Sequence, residues 1–424
     1  MSHESWLLGL MLVAFLGMVS GLKWPVGLSL AATSVVVAAA DGHGIPLRHL
    51  VEGMFGYIDV SLVLITAMIF MKVIEKNGLL DALTCDLMLR FGRSPATMLT
   101  AMTIIIMFPG MITGSCTSSV LSTGVLMVPV LLKMNMPRET AGAIVAMAAV
   151  YGMIAPPVNI VVMIIGGGID MPYIGFDLPL LYMTLPLAIL TTLYLGYGYA
   201  RRADMASVVE EFACRERAPG GFLLYLPLLA VVVLMIGPKA LPGWFPDPRL
   251  PLTFVIGTGL ALLSGRKFSL LEAAQNGVTE ILSVVGILMG VGMLIQIMTL
   301  TGIRGDIAVT SLSLPPYLLL AGIAIMLPLF GGISVFGAAS VLGVPFILTM
   351  LSQNLIITAA GMSLIAAMGS FMPPVALTAV IAAQVVEEPD YLKIVKPLIV
   401  PSLVAIGVGV LMIKYATQIA RIVL

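Results

Sequence analysis

Long apolar runs, separated by short polar segments, occupy nearly the whole chain. Scaffold spans are predicted within residues 5–73, and a short amphipathic segment follows at 79–90. The next uncharged block, residues 94–132, would be about 58 Å long as one helix, nearly twice the roughly 30 Å hydrocarbon core of a bilayer. This block is therefore expected to fold back on itself.

Helix breakers mark where the turn is expected. Pro109, Gly110, Gly114 and Ser115 interrupt the apolar pattern in the middle of the block. Proline removes a backbone donor, and glycine with serine favours a turn. The pattern predicts a re-entrant helical hairpin over residues 94–133, with both ends on one side of the membrane.

A proline pair predicts the next interruption. Residues 139–169 form another long apolar segment, and Pro156-Pro157 lies in its middle. Since proline disfavours helix in the residue before it, two half-helices are expected to meet there. A span at 178–200 and a cytoplasmic loop at 201–220 complete the first half.

The second half repeats this order. Gly331 to Ser334, Pro345 and Pro373-Pro374 follow one another much as Gly114 to Ser119, Pro129 and Pro156-Pro157 do. We interpret residues 1–212 and 213–424 as two inverted repeats. The predicted elements of the second are scaffold spans within 222–300 (an amphipathic segment at 269–278 and a span at 281–300 among them), a hairpin at 315–352, a broken helix at 356–386 and a span at 398–415.

Composition and charge agree with this pattern. Hydrophobic residues make up 60% of the chain and charged residues 10%, with a mean hydropathy of +1.11. The chain is therefore expected to be an all-α polytopic membrane protein in a lipid bilayer. Most Lys and Arg residues fall on the cytoplasmic side when the amino terminus is placed outside. Zero net charge argues against a nucleic-acid partner.

The polar groups near the interruptions are neutral and carry oxygen atoms. Both hairpins and both broken helices lack Asp, Glu, Lys, Arg and His between their flanking polar ends, whereas proton-coupled carriers usually need an ionisable group in the membrane. Hydroxyl and carbonyl oxygens suit a small cation, so sodium is the favoured coupling ion. The hydroxyl and amide groups concerned are Ser115, Thr117, Ser118, Ser119, Ser122, Thr123, Asn159, Ser334, Ser340, Ser370 and Thr378.

Some of these polar and glycine-rich positions also have a simpler, structural interpretation. A turn rich in glycine and serine can serve close helix packing, which is how we interpret Gly166 to Gly168. Asn159 is interpreted either as a ligand or as a hydrogen-bonding residue between helices. No arrangement of catalytic residues lies within the spans, so we expect no enzyme activity and no cofactor other than the coupling sodium ion.

The motifs themselves carry a family resemblance. At 114–129, 133–157 and 331–374 the chain resembles the large membrane (permease) subunit of tripartite ATP-independent periplasmic (TRAP) transporters, in the ion-transporter superfamily. The resemblance implies an elevator-type, sodium-driven carrier of organic acids such as C4-dicarboxylates. It also implies a small four-helix membrane subunit, a periplasmic substrate-binding protein and location in a bacterial or archaeal inner membrane.

The chain departs from the family pattern in three places. Val158-Asn159 stands where the family commonly has Ser after the proline pair, residues 271–274 reduce its Pro-Thr-Glu-Ala-Ala element, and 134–137 replaces a tyrosine-bearing turn. The resemblance nevertheless implies sodium ligands and a substrate carboxylate held between the tips. The implied metal ligands are Ser115, Thr117, Ser118, Pro156, Asn159, Gly332, Ser334, Met372 and Pro373, and the implied substrate-binding residues are Gly114, Ser115, Ser119, Gly332 and Ser334.

Two other transport functions stay open. A stand-alone sodium-dicarboxylate or citrate symporter of the same superfamily would need no partner subunits. A cation/proton antiporter is less favoured, although its carboxylate could be Asp59 or Glu139.

Overall fold

A computed structural model of the protein describes residues 2–92, 94–212, 221–241, 245, 248–373 and 375–424. All regular secondary structure in these ranges is helical. Pro374 and residues 213–220 of the predicted cytoplasmic loop lie outside the described residues.

The first helices form part of a scaffold. A 42° bend separates α3 from α4 at Gly56-Tyr57, and the two together are long and apolar enough for one span. α3 was not predicted. The bounds are α1 His3–Leu16, continued by a π-helical turn Gly17–Gly21, then α2 Val26–Ala40, α3 Leu47–Phe55, α4 Ile58–Lys76 and α5 Leu79–Phe91.

Hairpin 1, residues 95–133, turns at Gly114-Ser115. Gly114 adopts a left-handed φ of +66°, a conformation that glycine reaches without strain, and this ends the first arm. Either arm alone is long and apolar enough to cross a membrane, so re-entrance stays a prediction. The arms are α6 Pro95–Thr113 and then α7 Cys116–Ser119, a π-helical segment Val120–Gly124 and α8 Val125–Lys133.

The first broken helix has its gap at the proline pair. α9 ends at Ile154, and the next helix begins only at Ile160, where the Asn159 side chain caps it. A short helix lies in what was predicted as a loop. The bounds are α9 Arg138–Ile154, α10 Ile160–Gly167, α11 Asp177–Ala200 and α12 Met205–Phe212.

One correction concerns the scaffold of the second half. The amphipathic segment 269–278 and the span 281–300 were predicted as separate elements, but α15 is one helix of 31 residues. No proline or turn lies between the two segments, so nothing ends the helix there. The bounds are a 3₁₀ turn Gly221–Tyr225, α13 Leu226–Ala240, α14 Arg249–Ala261, α15 Leu270–Leu300 and α16 Ile303–Leu312.

Hairpin 2, residues 316–348, and the second broken helix have the same order of parts as the first pair. The break again contains a proline: Pro373 lies between the 3₁₀ turn that ends at Phe371 and the helix that begins at Leu377. The bounds are α17 Pro316–Gly331, α18 Val335–Ala338, a π-helical segment Ala339–Gly343, α19 Val344–Leu348, α20 Leu355–Ala367, a 3₁₀ turn Met368–Phe371, α21 Leu377–Val385, α22 Tyr391–Lys414 and α23 Ala416–Val423.

Two packing centres hold these helices. In the scaffold, α15 meets α2 and α3 at glycines: a Cβ on Gly27 would lie 2.5 Å from the carbonyl oxygen of Gly286, and one on Gly53 would lie 2.4 Å from that of Gly292. The other centre is the long arms of the broken helices, where every residue of 140–154 and 357–367 is buried.

The fold prediction is confirmed at the level of class. Among the described residues, seven helices are long and apolar enough to cross a membrane, and the bent pair α3 and α4 makes an eighth. The division at residue 212 and the elevator-type movement stay predictions.

Candidate functional site

Both hairpin tips open onto one cavity of about 320 Å³. The scaffold closes its other side through α2 and α15. A separate open groove of about 400 Å³ lies beside Glu387 and Glu388, away from both tips. The cavity is lined by Val26, Ser115, Cys116, Thr117, Met153, Glu280, Ser283, Val284, Ile287, Gly331, Gly332, Ile333, Ser334, Val335, Phe336, Gly369, Ser370, Val375 and Leu377.

The tip of hairpin 1 is held by hydrogen bonds within the turn. The Thr113 hydroxyl donates to the Pro109 carbonyl at 2.7 Å and accepts from the Ser115 N–H at 3.2 Å. Ser115 Oγ then accepts from the Ser118 N–H at 3.3 Å, which caps the second arm. These bonds place the Ser115 side chain and the first amides of the second arm at the cavity.

The tip of hairpin 2 uses the same device. Ser334 Oγ accepts from the Gly337 N–H at 3.1 Å and caps α18. Gly332 precedes it, and a Cβ there would lie 3.2 Å from the carbonyl oxygen of Met372. The second tip and the second break are therefore in direct contact, as predicted sodium ligands at Gly332, Ser334 and Met372 would require.

Glycine contacts bring each break up to its hairpin. A Cβ on Gly152 of α9 would lie 2.5 Å from the Met107 carbonyl oxygen of α6. In the second half, a Cβ on Gly369 would lie 2.5 Å from Cα of Gly331. Because no side chain separates these backbones, Met153 and Ser370 reach the cavity beside the tips.

Asn159 is fully buried, and its side chain makes three hydrogen bonds. Its Oδ1 accepts from the Val162 N–H at 3.0 Å, while its Nδ2 donates to the Ile154 carbonyl at 2.9 Å and to Ser363 Oγ at 3.2 Å. These bonds bridge the first break and join it to α20. They are the contacts expected from the interhelical interpretation, and a ligand role for Asn159 stays a prediction.

The predicted site residues divide into two groups. Ser115, Thr117, Gly332 and Ser334 line the cavity. The others do not line it: Ser119, for example, is fully buried, and its Oγ lies 2.6 Å from where a Cβ on Gly110 would be, so it faces the first arm. The predicted residues that do not line the cavity are Gly114, Ser118, Ser119, Pro156, Asn159, Met372 and Pro373.

Sequence reasoning missed the scaffold wall of the cavity. Glu280, Ser283, Val284 and Ile287 line it from α15, at the spacing of one helix face. Their spacing was visible in the sequence, but nothing local indicates which face of an apolar helix meets a cavity. Glu280 is paired with Lys72 of α4, whose Nζ lies 2.8 Å from its Oε2.

Comparison with known proteins finds a matching family model but no matching curated sequence. The family model described as "Tripartite ATP-independent periplasmic transporter, DctM component" matches residues 10–419. No curated protein sequence matches the chain.

Two solved transporters share the fold. The YdaH transporter of Alcanivorax borkumensis is similar with a TM-score of 0.62 at 16% identity, covering 98% of each chain. MtrF of Neisseria gonorrhoeae, described as illuminating a class of antimetabolite efflux pumps, is similar with a TM-score of 0.58 at 13% identity, covering 88% of this chain and 84% of its own. At these identities the similarity shows the fold alone.

Proposed function

This chain belongs to the family of DctM components of tripartite ATP-independent periplasmic transporters, and on that premise we propose that it is a sodium-coupled permease for an organic acid. The substrate class is a C4-dicarboxylate or a similar carboxylate. The observation that carries the proposal is the shared cavity: two capped hairpin tips from the two halves of the chain line one space.

Neutral oxygens at the tips support sodium as the coupling ion. Ser115, Thr117, Ser334 and Ser370 present hydroxyls at or near the cavity, and the Met372 carbonyl of the second break lies beside Gly332. Small hard cations take oxygen ligands of this kind, and unwound backbone in transporters commonly supplies part of the set.

The start of each second arm supports an anionic substrate. Helices begin at Cys116 and Val335, which both line the cavity, and the N-terminal end of a helix favours negative charge. A sodium ion bound beside these helix ends would strengthen the attraction. The substrate carboxylate then lies between Ser115 and Ser334.

Transport by this arrangement needs the tips to move past the scaffold. In the proposal, the hairpins and broken helices move as one block while α2, α3, α4 and α15 stay in place. Two scaffold residues bind the carboxyl end of α10 in this conformation: Tyr57 donates to the Ile164 carbonyl at 2.8 Å, and Arg304 donates to the Gly168 carbonyl. These bonds would break during the movement.

The proposed location and partner proteins follow from membership of the family. The permease lies in the inner membrane of a bacterium or archaeon and works with a small four-helix membrane subunit and a periplasmic substrate-binding protein. The stand-alone symporter differs from this proposal in requiring neither partner.

Uptake into proteoliposomes tests the function. An inward sodium gradient should drive accumulation of at least one radiolabelled acid in a panel including succinate and pyruvate, and an equal potassium gradient should not. Uptake only with the candidate binding protein and small subunit supports the tripartite permease, whereas uptake by the purified chain supports the symporter. Sodium-independent flux driven by a pH gradient would overturn sodium coupling.

A further inference from the structure

The scaffold wall of the cavity carries a carboxylate. Among the described residues that line the cavity, Glu280 alone is charged. Its side chain is 30% exposed, whereas that of Lys72, its partner, is 19% exposed and is not among the lining groups. A ligand approaching α15 therefore meets the carboxylate and not the ammonium.

The local charges do not cancel. Lys72 Nζ lies 2.8 Å from Glu280 and 3.2 Å from Glu75, so one cation serves two carboxylates. The neighbouring pair of the same two helices, Lys76 with Glu272, is neutral. The group formed by Lys72, Glu75 and Glu280 thus carries one net negative charge, and Glu280 is the member of the group that lines the cavity.

The tips opposite have the reverse character. Hydroxyls and helix amino termini attract a carboxylate there, as argued above, whereas Glu280 repels one. The cavity therefore attracts an anionic group at the two tips and repels one at the wall formed by α15.

We propose that Glu280 is a specificity-determining residue, which keeps anionic groups away from the scaffold wall and orients the acid with its carboxylate toward the tips. Within the proposed carboxylate class this favours acids that present a neutral or cationic group to the wall, and a dicarboxylate would have to place both of its carboxylates at the tips. The inference rests on the proposed function for the ligand class, but the potential at the wall can be measured without transport.

The electrostatic potential at the scaffold wall can be measured with charged thiol reagents. Ser283 is exposed, lines the cavity and lies one helical turn after Glu280. In a Cys116→Ser background, the full-length protein carrying Ser283→Cys is labelled with the anionic sulfonatoethyl or the cationic trimethylammonioethyl methanethiosulfonate. The background without Ser283→Cys measures labelling elsewhere, and the ratio of the two rates gives the sign of the local field.

Glu280→Gln should raise the anionic-to-cationic rate ratio by about fivefold or more, because one unit charge is removed about one helical turn away. Lys72→Met should lower the ratio, and Glu280→Asp should leave it within about twofold because the charge is kept. Glu272→Gln is the matched control on the same helix, since it removes a carboxylate that does not line the cavity.

A ratio for Glu280→Gln within twofold of the parent would overturn the proposal, as would a rise with Lys72→Met. If Glu280→Gln does not fold, the direction in which Lys72→Met changes the labelling ratio decides whether the proposal holds. If the labelling ratio changes as predicted but no sodium-driven uptake is seen, the proposed function is rejected and the proposal of a charged wall stands.

Discussion

Ser115 and Ser334 hold equivalent positions in the two hairpins and line the same cavity. Each side-chain oxygen accepts a hydrogen bond from the N–H three residues later, at 3.3 Å and 3.1 Å. The serines lie 219 positions apart (334 − 115), and the same offset relates Pro109 to Pro328 and the two π-helical segments. The repeat is thus visible in single hydrogen bonds as well as in helix order.

The two serine caps should contribute equally to stability. Replacing either one, Ser115→Ala or Ser334→Ala, should lower the free energy of unfolding by about 1 kcal/mol, because an orphan amide loses its acceptor. Thermal unfolding in sodium-free detergent solution measures this. Asn354→Ala removes a similar cap, from α20, at a residue that does not line the cavity. Serine variants as stable as the parent would show that neither side chain is a cap.

Glycine at 369 should be required for packing. Gly369→Ala would place a methyl group 2.5 Å from the backbone of Gly331, and neither backbone can move freely, so we expect a loss of about 1–3 kcal/mol. Gly322→Ala on α17 has open space around the new methyl group and should be neutral or slightly stabilising. Equal thermal stability of the two variants would contradict the close contact.

Asn159 should act as a structural bridge. Asn159→Ala removes three hydrogen bonds from a fully buried site and should cost about 2–3 kcal/mol, whereas Ser363→Ala should cost less because Asn159 keeps its bond to Ile154. A double-mutant cycle should show coupling between the two residues. Additive effects, or a variant that loses only sodium affinity, would favour the ligand interpretation instead.

Movement of the tip should change its distance from the scaffold. Cys116 and Ile287 line the same cavity, one from hairpin 1 and one from α15. Crosslinking of Cys116 with Ile287→Cys should therefore differ with and without sodium. A pair within the scaffold, Val26→Cys with Ile287→Cys in a Cys116→Ser background, should be insensitive to sodium. Sodium-independent crosslinking of both pairs would count against relative movement.

Local chemistry made the interruptions predictable. Pro156, Pro373, Gly114 and Ser334 act on their own backbone neighbours, so the sequence shows where each helix must end. The two tips and both breaks could therefore be located before any packing was known.

Rotation of a helix about its axis was not predictable in the same way. Ser119 faces the first arm although Thr117, two residues earlier, lines the cavity. Both are hydroxyl residues in one short stretch, and only contact with α6 distinguishes them. Glu280 was missed for the same reason: its place at the cavity depends on how α15 packs against the distant hairpins.

Sodium binding to the purified protein tests the central claim most directly. Titrating sodium chloride against choline chloride at constant ionic strength should raise the unfolding temperature of the wild type and of Asn354→Ala, because an ion that binds only the folded state stabilises it. The double variant Ser115→Ala with Ser334→Ala should show no such rise. A full sodium-dependent rise in that double variant, or none in the wild type, would contradict a sodium site at the two tips.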